Sequence, residues 1–184
     1  MQLIYQITSL LLDVAAGLLT GTCLLRLYMQ YQRIPFGNPV GRFVFALTDW
    51  LVLPLRRVLP ALGRLDTASL VAAYLFELAQ FGLLWLLTGG GAHAGLIPML
   101  ALFGLVRLVI SCLTGLMIVY AVLSWVRADS PIVDVIDRLC APLLRPWRKL
   151  IPLVGGIDLS PLAFLVMLQV AAIALAYLQA AVLR

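Results

Sequence analysis

The chain has 184 residues, 64% of them hydrophobic and 11% charged, with a net charge of +5. A soluble domain carries about 45–50% apolar and about 25% charged residues, so this composition excludes a soluble globule, a disordered tail, a secreted disulfide scaffold and a coiled coil. Long apolar runs, rather than short alternating ones, leave an all-α membrane protein with four spans and no room for a separate soluble enzyme domain.

The N-terminal MQLIYQITSLLLD has no basic n-region, so it reads as part of a retained span and not as a cleaved signal peptide. That first span is predicted over about 6–29, since crossing the hydrocarbon takes about 20 helical residues. Asn38-Pro39 then offers an N-cap followed by proline at the first helical position. It opens a helix over about 39–53, with Phe43, Val44, Leu47 and Leu51 on one face and Pro54 ending it. The second span is placed at about 68–88 and the third at about 99–126. Between them lies TGGGAHAGLIP, which has no Lys, Arg, Asp or Glu and contains the lone histidine, His93. Ser130-Pro131 opens a second short helix over about 131–141, ended by Pro142. There Ile132, Val135, Ile136, Leu139 and Leu143 line one face, and Asp134, Asp137 and Arg138 the other. The fourth span is predicted over about 160–183. Both short helices read as lying in the membrane interface; the alternative is soluble connectors packed on each other.

Ten of the 13 basic residues fall in the two long connections, among them Arg33, Arg42, Arg56, Arg57 and Arg64, then Arg127, Arg138, Arg145, Arg148 and Lys149. The positive-inside rule therefore puts both connections in the cytoplasm and both termini outside. The positive charge is accounted for by topology and anionic headgroups, so no nucleic-acid partner is expected. Trp85 near the outer end, and Trp50, Trp125 and Trp147 near the inner face, fit interfacial belts.

The halves 1–92 and 93–184 match without a gap at an offset of 92 residues. Pro39, Leu47, Leu51, Pro54, Arg56, Pro60, Gly63, Asp66 and Leu70 recur as Pro131, Leu139, Leu143, Pro146, Arg148, Pro152, Gly155, Asp158 and Leu162. Thr22, Leu24 and Tyr28 recur as Thr114, Leu116 and Tyr120. The unit is span, interfacial helix, span. Two crossings per unit predict parallel repeats about a pseudo-twofold axis along the membrane normal.

The segments PLRRVLPALGRLDTASL (54–70) and RPWRKLIPLVGGIDLSPL (145–162) resemble the YggT family of bacterial inner-membrane proteins, whose relatives also occur in plastids. The resemblance covers nearly the whole chain. It implies no catalytic activity and no settled mechanism. It does imply connections with tolerance of osmotic or salt stress, with cell division and membrane organisation, and in plastids with cytochrome haem attachment. The first copy departs from the fuller motif: Arg64 replaces the second glycine, and Ala68-Ser69 stands opposite Ser160-Pro161.

Arg56-Arg57 and Arg148-Lys149, with Arg145, are positioned at headgroup level, where each charge attracts anionic lipid by about 1 kcal/mol. Gly63 and Gly155-Gly156 permit a tight turn back to the bilayer, and Asp66, Asp158 and Ser160-Pro161 stand at helix starts. One reading is plain structural re-entry of the chain. The other is a paired binding surface for lipid, ion or partner protein.

Asp13, Glu77 and Arg107 fall inside spans, where each costs at least about 2.5–3.5 kcal/mol unless paired or facing a polar interior. Asp13 and Arg107 lie at similar depth and are candidates to pair between spans one and three. Gln169 is the repeat equivalent of Glu77, so an interior polar layer is expected. Small-residue stripes, Asp13-Gly17-Gly21 and Arg107-Ser111-Gly115, allow close helix approach. The alternatives are a packed bundle held by these contacts, or a proton or cation path.

Cys23, Cys112 and Cys140 form no CxxC pair, and one histidine builds no metal or bis-histidine haem site. No phosphate-binding or nucleophile motif is present, so neither enzyme activity nor a cofactor is expected. The expected role is structural or accessory, through anionic lipid or unidentified membrane or cytoplasmic proteins, with homo-oligomers possible in principle. Its rivals are a small channel or transporter subunit, and an assembly factor for a cofactor-containing protein.

Overall fold

The structure, a computed structural model, describes residues 2–90, 94–126, 130–151 and 158–182. Six α-helices follow one another: α1 (Gln2–Tyr31), α2 (Pro39–Val58), α3 (Thr67–Leu87), α4 (Ile97–Val126), α5 (Pro131–Leu150) and α6 (Ser160–Val182), with a 3-10 turn at Ala94–Leu96 leading into α4. Helices α1, α3, α4 and α6 are each long and apolar enough to cross a membrane. The protein is a four-span helical membrane protein, with spans within a few residues of those read from the sequence. Residues 91–93, 127–129 and 152–157 lie outside the described residues, and with them His93, Arg127, Gly155 and Gly156.

The starts of α2 and α5 follow from their caps. Asn38 Oδ1 accepts from Gly41 N at 2.8 Å, and Ser130 Oγ accepts from Val133 N at 3.4 Å. Gly41 sits hard against the backbone of Phe36, leaving no room for a side chain there. The ends differ from expectation. Neither Pro54 nor Pro142 stops its helix; α2 runs to Val58 and α5 through Pro146 to Leu150. All three prolines lie on the exposed side of their helices. The carbonyl each leaves without a helical donor is open to water or headgroups, so the lost bond does not force a break.

Three apolar clusters hold the helices together. Cys23 and Leu24 of α1, Val52 of α2, Ala68, Ala72 and Ala73 of α3 and Leu105 of α4 make the first. Met117 of α4, Ile136, Cys140 and Leu144 of α5 and Phe164 and Leu168 of α6 make the second. The third joins the two short helices: Val44 of α2 meets Val135 and Leu139 of α5 over Met29 and Ile34. Tyr28 Oη donates to the Leu139 carbonyl at 2.8 Å across the same seam. The short helices thus pack on each other and also present apolar side chains outward, Phe43, Trp50, Leu53 and Ile132 among them. Helix α3 lies between α1 and α4, whereas α6 packs on α4 and α5.

Candidate functional site: arginine–aspartate clamps and an intramembrane cleft

Arg56 and Arg57 end α2, and Asp66 precedes α3. The turn between them closes through a bridge of Leu62 with Leu65, and Gly63 adopts φ +63, the left-handed conformation that glycine tolerates best. That turn folds Asp66 back onto Arg56. The guanidinium grips both carboxylate oxygens, through Nη2 to Oδ2 and through Nε to Oδ1 at 3.3 Å. Two-pronged bonds of this kind are among the stronger ion pairs. Arg56 Nη2 also donates to Gln30 Oε1 at 2.7 Å, tying the clamp to α1, and Ser69 Oγ donates to Asp66 Oδ2 at 2.6 Å. Of the two candidate caps, Asp66 and Thr67, Asp66 stands at the N-cap position of α3. Its carboxylate is taken up by the clamp, with no side-chain bond to the α3 backbone, and Thr67 Oγ1 donates to the Pro60 carbonyl.

A second arginine approaches the same carboxylate. Arg26 of α1 is 1% exposed; its Nη1 donates to Thr48 Oγ1 and to Asp49 Oδ1, each at 2.7 Å. Its Nε lies 4.0 Å from Asp66 Oδ2, and its guanidinium stacks 4.8 Å over the Phe45 ring. Arg26 and Asp49 were not singled out in the sequence. Arg26 carries the same sequence signal as Arg107, an arginine inside an apolar run; Asp49 carries none of its own.

The second half builds a barer version. Arg148 Nε donates to Asp158 Oδ2 at 2.8 Å, and its Nη2 donates to Tyr120 Oη of α4 at 2.7 Å. Asp158 Oδ1 accepts from Ser160 N at 2.9 Å. Ser160 is the first residue of α6, with Pro161 second, and its buried Oγ has no partner. It is therefore not the cap that the sequence suggested. Ile118 and Ala141 stand where the first half has Arg26 and Asp49.

Burial pushes the Asp66 carboxyl up, but the bonds from Arg56 and Ser69 outweigh it and hold the pKa below its usual value. Asp158 is lowered in the same way, burial opposed by the bonds from Ser160 and Arg148. Burial raises the Cys140 thiol to about 12, with Asp137 adding to the effect. Arg57, Arg145 and Lys149 are exposed. Among the described residues they make no hydrogen bond or ion pair.

Inside the spans, Asp13, Gly17, Glu77, Gln80, Arg107, Leu108 and Ser111 line a cavity of about 260 Å³ between α1, α3 and α4. Asp13 and Arg107 do not form the candidate pair; Gln80 of α3 donates to Asp13 Oδ1 instead. Glu77 is 1% exposed, with its carboxylate against the bare backbone of Gly104. Glu77 Oε1 and Thr20 Oγ1 are buried without a hydrogen-bond partner. Gln169 is exposed on α6 and does not join the layer, because α6 packs away from the α1–α3–α4 cleft. No group of three or more His, Cys, Asp or Glu that would hold a metal occurs among the described residues.

The chain is 38% identical over 173 residues to "Uncharacterized protein YggT" of Escherichia coli K12, covering 88% of this chain and 85% of that protein. It is 32% identical over 166 residues to "Uncharacterized protein in proC 3'region" of Vibrio alginolyticus, with 89% and 90% covered. An uncharacterized protein of Pseudomonas aeruginosa is 36% identical over 147 residues, with 77% and 75% covered. No solved structure matches significantly. The family model CCB3/YggT matches residues 1–87 and 99–179, spans and clamps alike, and the chain belongs to that family.

Proposed function

We propose that the protein is a non-enzymatic structural or accessory component of the bacterial inner membrane, built from two parallel repeats. Its termini lie outside and its basic helix ends in the cytoplasm, where they bind anionic headgroups. One observation carries this reading. Arg56 and Arg148 are held by Asp66 and Asp158, while the neighbouring Arg57, Arg145 and Lys149 stay exposed at the ends of α2 and α5. The clamps fix the helix ends, and the remaining charges are free for lipid. By family resemblance, this surface serves osmotic-stress tolerance or cell division.

Replacing Arg57, Arg145 and Lys149 together by Gln tests the reading. Native mass spectrometry should show lost cardiolipin and phosphatidylglycerol retention with an unchanged melting temperature. Salt should mimic the loss, since exposed charges are screened within about 10 Å at 0.1 M. Undiminished lipid binding would assign these residues to topology or to a protein partner.

A second reading, a small channel or transporter subunit, draws on the buried Glu77 carboxylate in the intramembrane cavity. Ion flux in proteoliposomes, abolished by Glu77→Gln, is the result that would favour it over the first.

A further inference from the structure

The halves of the sequence correspond at an offset of 92 residues, but the polar lining of the intramembrane cavity has no such counterpart. Glu77 and Gln80 of α3, 1% and 6% exposed, form its inner wall. Asp13 of α1 and Arg107 and Ser111 of α4 are exposed at its mouth. The offset pairs Asp13 with Leu105, Gln80 with Ala172, Arg107 with Ala15 and Ser111 with Leu19. Glu77, paired with Gln169, is the exception. Spans of this kind therefore do without polar side chains at four of the five positions. Charges inside hydrocarbon are costly, and a set of them around one cavity marks a role beyond packing.

The charges are sorted by wall. Arg107 and Ser111, four residues apart, share one face of α4, whereas the carboxylates of Asp13 and Glu77 come from α1 and α3. Gln80 donates to Asp13 Oδ1 only. Among the described residues Arg107 forms no ion pair with either carboxylate. We infer that the cavity binds a small zwitterion, its ammonium toward Asp13 and Glu77 and its carboxylate toward Arg107 and Ser111. A simple cation would meet the like charge of Arg107, and a simple anion would meet two carboxylates. The volume, about 260 Å³, lies just below the ~300–1,000 Å³ of drug-sized pockets and suits a ligand the size of an amino acid. Gly17 keeps the space open: a Cβ there meets only Leu108 Cδ2, at 3.9 Å, so a larger side chain enters the cavity. Binding requires no flux, and the inference stands apart from the channel reading.

Purified full-length protein in nanodiscs is dialysed against radiolabelled L-alanine, β-alanine and γ-aminobutyrate, which differ in the spacing of their two charges. At least one should bind saturably. Propionate and ethylammonium, each with one of the two charges, should compete at least tenfold more weakly, because each leaves charged groups of the site unpaired. Glu77→Gln and Arg107→Gln should each weaken binding at least tenfold, and Gly17→Val should abolish it. Gly115→Ala should leave it unchanged. Gel filtration and melting curves establish that each variant is folded, and the competition series decides the matter in the unmodified protein. No saturable binding of any of the three overturns the inference. So does competition by propionate or ethylammonium as strong as by the zwitterion, or binding that survives a folded Gly17→Val. Ion flux without zwitterion binding would leave the channel reading standing and this inference overturned; binding without flux would do the reverse.

Discussion

Arg26 and Asp66 approach to 4.0 Å with side chains only 2% and 1% exposed, at the point where α1, α2 and α3 converge. Asp49 and Arg56 complete a group of two cations and two anions, with Thr48, Ser69 and Gln30 supplying hydrogen bonds. The other half has one arginine and one aspartate at the equivalent place, both partly exposed. Two charges sealed together need each other far more than two in contact with water. The first junction is therefore a rigid corner of the molecule, and the second a weaker one.

This asymmetry fixes the cost of losing each arginine. Arg26→Ala takes the buried cation from Asp49, itself 40% exposed, while Asp66 keeps Arg56, and should destabilise the protein by about 1–3 kcal/mol. Arg148→Ala removes a pair that is 43% and 29% exposed, and should cost about 1 kcal/mol or less. Denaturant titration in detergent compares the two. Equal losses would mean that burial does not set the strength of these clamps.

The lowered Asp66 and Asp158 carboxyls make stability depend on acid. A folded carboxyl that binds its proton less tightly than the unfolded one contributes fully above the unfolded pKa, near 3.8. That contribution drains away as pH falls through the lower folded value. The melting temperature should stay level from neutral pH to about 5 and drop below about 4. Asp66→Asn should be less stable at neutral pH and show a shallower acid drop. A drop that starts between pH 6 and 7 would point to other groups.

The spans were legible because hydrocarbon thickness demands long apolar runs, and α1, α3, α4 and α6 each supply one. The beginnings of α2 and α5 were legible from Asn38-Pro39 and Ser130-Pro131. Their ends were not, because proline breaks a helix only where the freed carbonyl has nowhere to turn, and sequence does not say which side faces water. Repetition marked Arg56, Asp66, Arg148 and Asp158. It did not reveal that they meet, which depends in the first half on the turn at Gly63. Depth along a helix placed Asp13 beside Arg107, but depth carries no information about rotation, and Gln80 of α3 takes Asp13 instead. Arg26 stands out as a charge inside an apolar run, but its partners lie in α2 and just before α3, far off in sequence.

The close approach of Glu77 to Gly104 predicts a coupled pair. A methyl at Gly104 would run into the Glu77 carboxylate and the Phe81 ring. Overpacking of this kind costs about 1–3 kcal/mol, so Gly104→Ala should lower stability by that amount. At Gly115 nothing lies within 4 Å of an added Cβ, and Gly115→Ala should be harmless. Glu77→Ala combined with Gly104→Ala should cost less than the sum of the single changes, since the shortened side chain vacates the space. Strict additivity in a thermal-melt cycle would show that the two positions do not touch.

Orientation is testable without any assumption about function. Ten of the 13 basic residues lie in the two connections that contain α2 and α5, and the segment between α3 and α4 has no lysine or arginine. Moving cationic segments across a bilayer is disfavoured, so the basic side is expected to stay in the cytoplasm. A cysteine at Thr88, just past α3, should react in intact cells with a membrane-impermeant maleimide. One at Lys149, in the last turn of α5, should react only after permeabilisation. Of the native thiols, Cys23 and Cys140 are buried and Cys112 partly so, and a chain without added cysteines gives their background. Labelling at Lys149 but not at Thr88 in intact cells would invert the molecule. The exposed arginines would then face outward, and the cytoplasmic lipid surface proposed for them would have to be abandoned.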